Sequence, residues 1–233
     1  MADKAKVDRG KWKMESGRRL LFLLSTFHFL LCLPGCNIVA PAAYIIQGPP
    51  KTPAVVELED KTTVVYVDDR RNVLPRSALR QIMAEKAGEV LMTKKIITTT
   101  ISPRDAMAIA RQESNSEPLS MAAIAQRVEA DQIIYVEMDS FSLTPDGYTP
   151  RPQATCAVWV LDVANRRRIL PAMNSLDRGY LLTIDLGATS MDGYSSEASL
   201  RKLEETLASF AGVKLAQMFF EHEELGQRLG RSQ

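Results

Sequence analysis

The sequence predicts an α/β fold: a mixed β-sheet packed by helices, in the order β-α-β-α-α-β-β-β-α, closing on a long C-terminal helix. Three observations predict it. Thr62-Thr63-Val64-Val65-Tyr66-Val67 is β-branched and apolar on both faces, as a central strand covered on both sides requires. Gln132–Ser142 and Arg178–Leu186 alternate apolar with polar residues, the pattern of half-buried strands. Leu200, Leu203, Leu207, Ala211, Leu215 and Met218 recur at helical spacing over about five turns near the end of the chain.

Taken in order, the chain opens on a leader. Arg18 and Arg19 precede Leu20–Leu33 (LLFLLSTFHFLLCL), a run without formal charge. At about 1.5 Å per residue the run makes a helix of roughly 21 Å, short of the ~30 Å hydrocarbon core of a bilayer. It fits the apolar region of a secretory signal better than a spanning helix. Its end, Leu33-Pro34-Gly35-Cys36, resembles the lipobox of bacterial lipoprotein signal peptides. Leu33 stands at −3, small Gly35 at −1 and Cys36 at the lipidated position, while Pro34 departs from the usual small or apolar residue at −2. Cys32 is a poorer cleavage point because Leu31 stands where a small residue is needed. The resemblance implies a signal peptide over 1–35, cleavage between Gly35 and Cys36, and a lipid (palmitate or a similar acyl chain) on Cys36 that holds the protein to a membrane. Asn37 is not the Asp that retains some lipoproteins at the inner membrane, so the expected location is the outer membrane, facing the periplasm.

The leader removes seven of the 29 basic residues and three of the 28 acids, leaving a mature chain three charges to the acidic side. Such a surface makes no electrostatic case for nucleic acid. With Cys36 lipidated, Cys156 stands alone and no intramolecular disulfide can form, so packing has to hold the core. Residues 36–61 carry Pro41, Pro49, Pro50 and Pro53 and read as an extended tether. Ile38, Val39, Tyr44, Ile45 and Ile46 are too apolar for a fully solvated linker, so part of it is expected on the membrane interface or against the folded domain. Residues 62–222 form the single domain, and 223–233 a frayed tail.

Within the domain, Asp68-Asp69-Arg70-Arg71-Asn72 ends the first strand as a polar loop, and Pro75 opens a helix of about 17 residues with Leu79, Ile82, Met83, Ala87 and Val90 on one face. Ile96–Ile101 is the second strand. Ser102-Pro103-Arg104-Asp105 resembles a capping box opening a short helix to Gln112, and Leu119–Glu129 is a third helix. Gln132–Ser142, Gln153–Val163 and Arg178–Leu186 are strands in series. A Pro-Asp-Gly turn separates the first two, and a turn at Asn165–Arg168 follows the second. Ser195 or Ser196 caps the last helix, which runs to about Glu221.

The segment Ile124-Ala125-x-x-Val128-x-Ala130-Asp131-Gln132-Ile133-Ile134-Tyr135-Val136, with the later Val160-Leu161-Asp162-Val163 and Ile169-Leu170, resembles a recurring envelope-lipoprotein module. Families with this arrangement include the curli-secretion lipoprotein, the lipoprotein activators of penicillin-binding proteins, and the N-terminal domain of the periplasmic Tol translocation protein. Glu129 stands where the family often has Gly, and no pore-forming insertion is recognisable. The resemblance implies a binding module on a tether.

Candidate chemistry is sparse. Asp68, Asp69, Arg70 and Arg71 lie at the carboxyl end of a buried strand, where open α/β sheets place ligands. The same residues read more readily as a solvated loop with local ion pairs. Glu221-His222-x-Glu224 lacks a second His or Cys, so no metal site is expected. Cys156 reads as a small core hydrophobe and Trp159 as a residue packed under a helix. Gly187 and Gly193 form no phosphate loop. The expected function is a lipid-anchored, non-catalytic interaction or assembly module of the envelope, without a cofactor, whose partner is another envelope protein. The alternative is a periplasmic ligand-binding or transport-auxiliary lipoprotein.

Overall fold

Val64, Val65, Tyr66 and Val67 are all buried, as a strand apolar on both faces must be. The structure is a computed structural model that describes residues 51–112, 119–172 and 178–223. In chain order its elements are β1 (Lys51–Thr52), β2 (Thr63–Asp68), α1 (Ala78–Thr93), β3 (Thr100–Ile101), α2 (Pro103–Ala110), α3 (Met121–Arg127), β4 (Gln132–Ser142), β5 (Gln153–Asp162), β6 (Arg167–Leu170), β7 (Tyr180–Asp185), a 3-10 turn (Met191–Tyr194), α4 (Glu197–Gln217) and β8 (His222–Glu223). The fold is α/β with a mixed sheet and a long C-terminal helix.

The sheet runs β3-β2-β4-β5-β6, and β7 also pairs with β5. β2 lies parallel to both β3 and β4, with Val65 opposite Ile134 and Asp68 opposite Glu137. β4 and β5 are antiparallel, with a bulge between Met138 and Ser140. Beyond β5, its Gln153–Val158 half pairs with β7 and its Val160–Asp162 end with β6.

The two faces are covered unequally. Val65, Val67, Ile134, Val136, Cys156 and Val158 pack under α1 and α4 with Leu79, Met83, Leu207 and Leu215. Val64, Tyr66, Ile133 and Tyr135 pack against Ala106 of α2 and Ile124 of α3, a smaller cluster. α1 and α4 touch at Gly212, where a Cβ would collide with the Met83 carbonyl oxygen. The glycine inside this helix therefore marks a close crossing.

Several boundaries differ from the sequence reading. α1 begins at Ala78, because the loop after β2 holds Val73 and Leu74 by hydrogen bonds to Asp69. Only Thr100–Ile101 of the 96–101 run is a strand. Lys95 turns through a positive φ of 57° and the Ile96 N–H bonds Leu91 O at 2.9 Å, so the chain straightens late. The turn expected at Asn165–Arg168 ends at Arg166, and Arg167 already pairs in β6. α4 is capped by Ser196, whose hydroxyl accepts from the Ser199 N–H at 3.1 Å. It stops at Gln217, short of Glu221, where the Met218 carbonyl accepts the Val55 N–H at 2.7 Å. Residues 51–61 thus lie along the domain: Val56 and Leu58 pack on the core, and Lys51 pairs with Glu223. The signal region with Gly35 and Cys36, and the tail from 224, lie outside the described residues.

At the amino ends of β2 and β4, Asp162 is wholly buried. Lys61 Nζ donates to it at 2.8 Å, and Asn165 donates from its backbone N–H at 3.0 Å and its side-chain amide at 2.8 Å. Burial opposes ionisation, but these donors outweigh it and bring the carboxyl down to about 2 from the ordinary 3.8.

Glu129 holds a left-handed φ of 59°, which costs a side-chain-bearing residue about 1–2 kcal/mol while glycine loses only its extra unfolded-state entropy. Glu129→Gly is therefore expected to raise stability by about 0.5–1 kcal/mol in urea unfolding. Because the folded pKa of Asp162 is depressed, its contribution is complete above about pH 4 and disappears as pH falls towards 2. By linkage the loss is roughly 2 kcal/mol. Asp162→Asn should be less stable at neutral pH and lack that fall; an unchanged acid profile would rule out this buried pair as its source.

Candidate functional site

The four residues expected to form a surface site sit where β2 ends on the thinly covered face, but they do different things. Asp68, the last residue of β2, is 5 % exposed. Its carboxylate accepts the Tyr135 hydroxyl at 2.5 Å and Arg70 Nε at 2.7 Å. Burial first, then the hydrogen bond to this carboxylate, pushes the Tyr135 phenol well above its ordinary range, so it stays a neutral donor. Asp69 accepts the Val73 and Leu74 N–H groups at 2.8 and 3.1 Å and shapes the loop into α1. Arg71 crosses to β4 and pairs with Asp139 at 2.8 Å and Glu137 at 3.9 Å.

Further residues join the cluster that sequence reasoning did not place there. Arg80 of α1 donates to the Val67 carbonyl at 2.7 Å and to the Tyr66 hydroxyl at 3.1 Å. Tyr66, Tyr135 and Trp159 form an aromatic row across β2, β4 and β5 with centroids 5.7 Å apart at each step. Trp159 is half-buried at the rim of this cluster. Gly179 lies against its ring, so close that a Cβ there would sit 2.7 Å from it. The signal available in sequence was the polar side of β4, where Tyr135, Glu137 and Asp139 alternate.

The cluster is an ionic rivet: carboxylates and guanidiniums are spent on one another. Arg70 and Arg71 keep 44 % and 59 % of their side-chain surface exposed, so only their outer faces can meet an anionic group. The other candidates are apart from it. Cys156 is buried under the helices, and burial, with Asp139 adding, pushes its thiol up to about 12. His222, expected on a helix end, lies in β8 with Nδ1 3.0 Å from the Phe220 carbonyl oxygen. Among the described residues no His, Cys, Asp and Glu group has metal-binding geometry, and no helix is long and apolar enough to cross a membrane.

The domain has two distinct ends. Lys51 enters beside β8, below the carboxyl end of α4. At the amino end of α4, the Thr189 N–H bonds the Pro150 carbonyl and the Tyr194 hydroxyl bonds the Leu143 carbonyl, tying the β4–β5 hairpin to the loop before the helix. There Tyr148 is 90 % and Met191 67 % exposed. The 21 residues of α4 put about 31 Å between the ends.

No family model matches the chain, and no curated protein matches it. Solved structures are similar to it only distantly. A hypothetical protein from Chlamydia trachomatis is 16 % identical over 68 % of this chain and 93 % of its own, with a TM-score of 0.41. PelC from Paraburkholderia phytofirmans, solved as a dodecamer, is 10 % identical over 71 % and 96 %, at 0.38. A lipoprotein from Neisseria meningitidis is 8 % identical over 63 % and 93 %, at 0.36.

Tyr135→Phe removes the donor to a buried carboxylate and should cost about 1.5–3 kcal/mol in urea unfolding, whereas Arg71→Ala, at an exposed pair, should cost under about 1 kcal/mol. Equal costs would show that the rivet does not centre on Asp68.

Proposed function

We propose that the chain is a lipid-anchored interaction or assembly module of the cell envelope, held by an acyl chain on Cys36 at the outer membrane and facing the periplasm. It works by binding another envelope protein, without catalysis. The observation that carries this reading is the polarity of the domain. The chain arrives at Lys51 near the carboxyl end of α4, and exposed Tyr148 and Met191 stand at the amino end of that helix, which is about 31 Å long. Exposed aromatic and methionine side chains of this kind are enriched at protein interfaces. The leader ending in Gly35-Cys36 supplies the anchor. Asp68 and Asp69 shape their loop, and the outer faces of Arg70 and Arg71 add a polar contact for an acidic group on the partner.

One observation favours the second reading, a ligand-binding or transport-auxiliary lipoprotein. A groove of about 870 Å³ lies along the entering segment, lined by Val55, Val56, Leu58, Ile96, Phe219 and Phe220 among others. It is open and sits at the tether end, so a ligand there would be held close to the membrane.

Cys36→Ala should abolish incorporation of labelled fatty acid and leave the leader uncleaved. Photo-crosslinking residues placed at Tyr148 or Met191 in intact envelopes should capture one protein that a residue at Gln81, on the exposed face of α1, does not. Unmodified Cys36 in a full-length chain would remove the anchor. Equal capture from all three positions would remove the distal contact.

A further inference from the structure

We propose that the pocket at the carboxyl ends of α1 and α4 binds the headgroup of an ethanolamine phospholipid, whose acyl part lies in the adjoining apolar groove. The pocket holds about 480 Å³, a size common among small-molecule sites. Val90 and Lys94 line it from α1, Val213 and Gln217 from α4, and Lys51 and His222 from the β1–β8 pair. Gln217 is the residue that points to a ligand. It is 6 % exposed, its Oε1 is buried without a hydrogen-bond partner, and its Nε2 donates to no described residue. An amide left buried in this state costs stability. A ligand that both gives and takes a hydrogen bond satisfies it.

The charges around the pocket select that ligand. Two helices end on it, and the partial negative charge of their last carbonyls favours a cation. Glu221 and Glu223 stand in the same lining. Against them are Lys51, 3.5 Å from Glu221, and Lys94, whose Nζ lies over the Phe220 ring and pairs with no described carboxylate. The carboxylates and ammonium groups of the lining are in balance, which suits a zwitterion better than an anion. An ammonium N–H serves Gln217 Oε1 and the helix ends, and a phosphate oxygen serves Lys94 Nζ and Gln217 Nε2. Lys51, Phe220 and Glu221 also line the open groove of Val55, Val56, Leu58 and Ile96. A molecule with its head in the pocket therefore lays an apolar chain along that groove. The choice of a membrane lipid rests on the proposed anchor: Lys51 follows Cys36 by 15 residues, so acylation of Cys36 keeps this end beside the bilayer.

The test reads the pocket apart from the anchor. Full-length chain in a non-ionic detergent, titrated with phosphatidylethanolamine and followed by native mass spectrometry, should gain the mass of one lipid. Phosphatidylglycerol should bind several-fold more weakly, and so should glycerophosphoethanolamine, which is the head without its chains. Lys94→Glu should lower phosphatidylethanolamine binding several-fold. Gln217→Leu should lower it too, with a melting point unchanged or higher, because it removes a buried polar group that has no partner. Cys36→Ala should bind as wild type does, so a failed anchor and a failed pocket give different results. No lipid adduct, equal binding of phosphatidylglycerol or of the chainless head, or binding that survives both Lys94→Glu and Gln217→Leu overturns the proposal.

Discussion

The unequal cover of the two sheet faces governs most of what this domain presents to its surroundings. α1 and α4, of 16 and 21 residues, cover one face; α2 and α3 have eight and seven. A helix is about 10 Å wide and strands are spaced about 4.8 Å apart, so two helices of two turns cover the β3-β2-β4 part and little beyond it. The residues of β4, β5 and β7 past that cover are Glu137, Asp139, Thr155, Leu181 and Thr183, pointing away from α1 and α4. Polar and small residues are what a half-open face tolerates. Leu181, 62 % exposed, breaks the pattern.

The rivet at Asp68 follows from the same geometry. A carboxylate at the end of a buried strand has to be neutralised or hydrogen-bonded where the cover stops, because an unpaired buried charge costs several kcal/mol. Tyr135 and Arg70 do this at the boundary between the covered and open parts, and Arg80 satisfies the neighbouring Val67 carbonyl. Seen this way, the densest polar group in the sequence is the seam of the fold, and its chemistry is directed inward. The outer faces of two arginines remain exposed.

Local chemistry in the sequence revealed the elements that local chemistry decides. The doubly apolar run at 62–67, the Ser102-Pro103 start of α2 and the Ser196 cap of α4 all appear where their residues place them. Glu129, marked as a departure from glycine in a related pattern, occupies a left-handed turn that explains why glycine belongs there. What was illegible depends on partners far away in the chain. The end of α4 is fixed by Val55 and Val56, and β1 and β8 exist only through each other. Asp68 is buried by a tyrosine 67 positions on, through a parallel register that no local pattern encodes. The Asp-Asp-Arg-Arg run could therefore be seen as a cluster but not divided into its inward and outward halves.

The division of labour between the ends bears on how a tethered domain could act. The amino ends of β2 and β4 are locked by Lys61, Asp162 and Asn165, and the entering segment is stitched to Met218 and Glu223. Force arriving along the chain at Lys51 is thus delivered to the sheet and to α4 at one end. The hairpin and the loop before α4, tied to each other through Pro150 and Leu143, lie out of that line. On the proposed reading, a contact made by Tyr148 and Met191 would form or release without loosening the attachment. This separation requires α4 to be one uninterrupted helix, and so requires the close crossing at Gly212 that keeps it against α1.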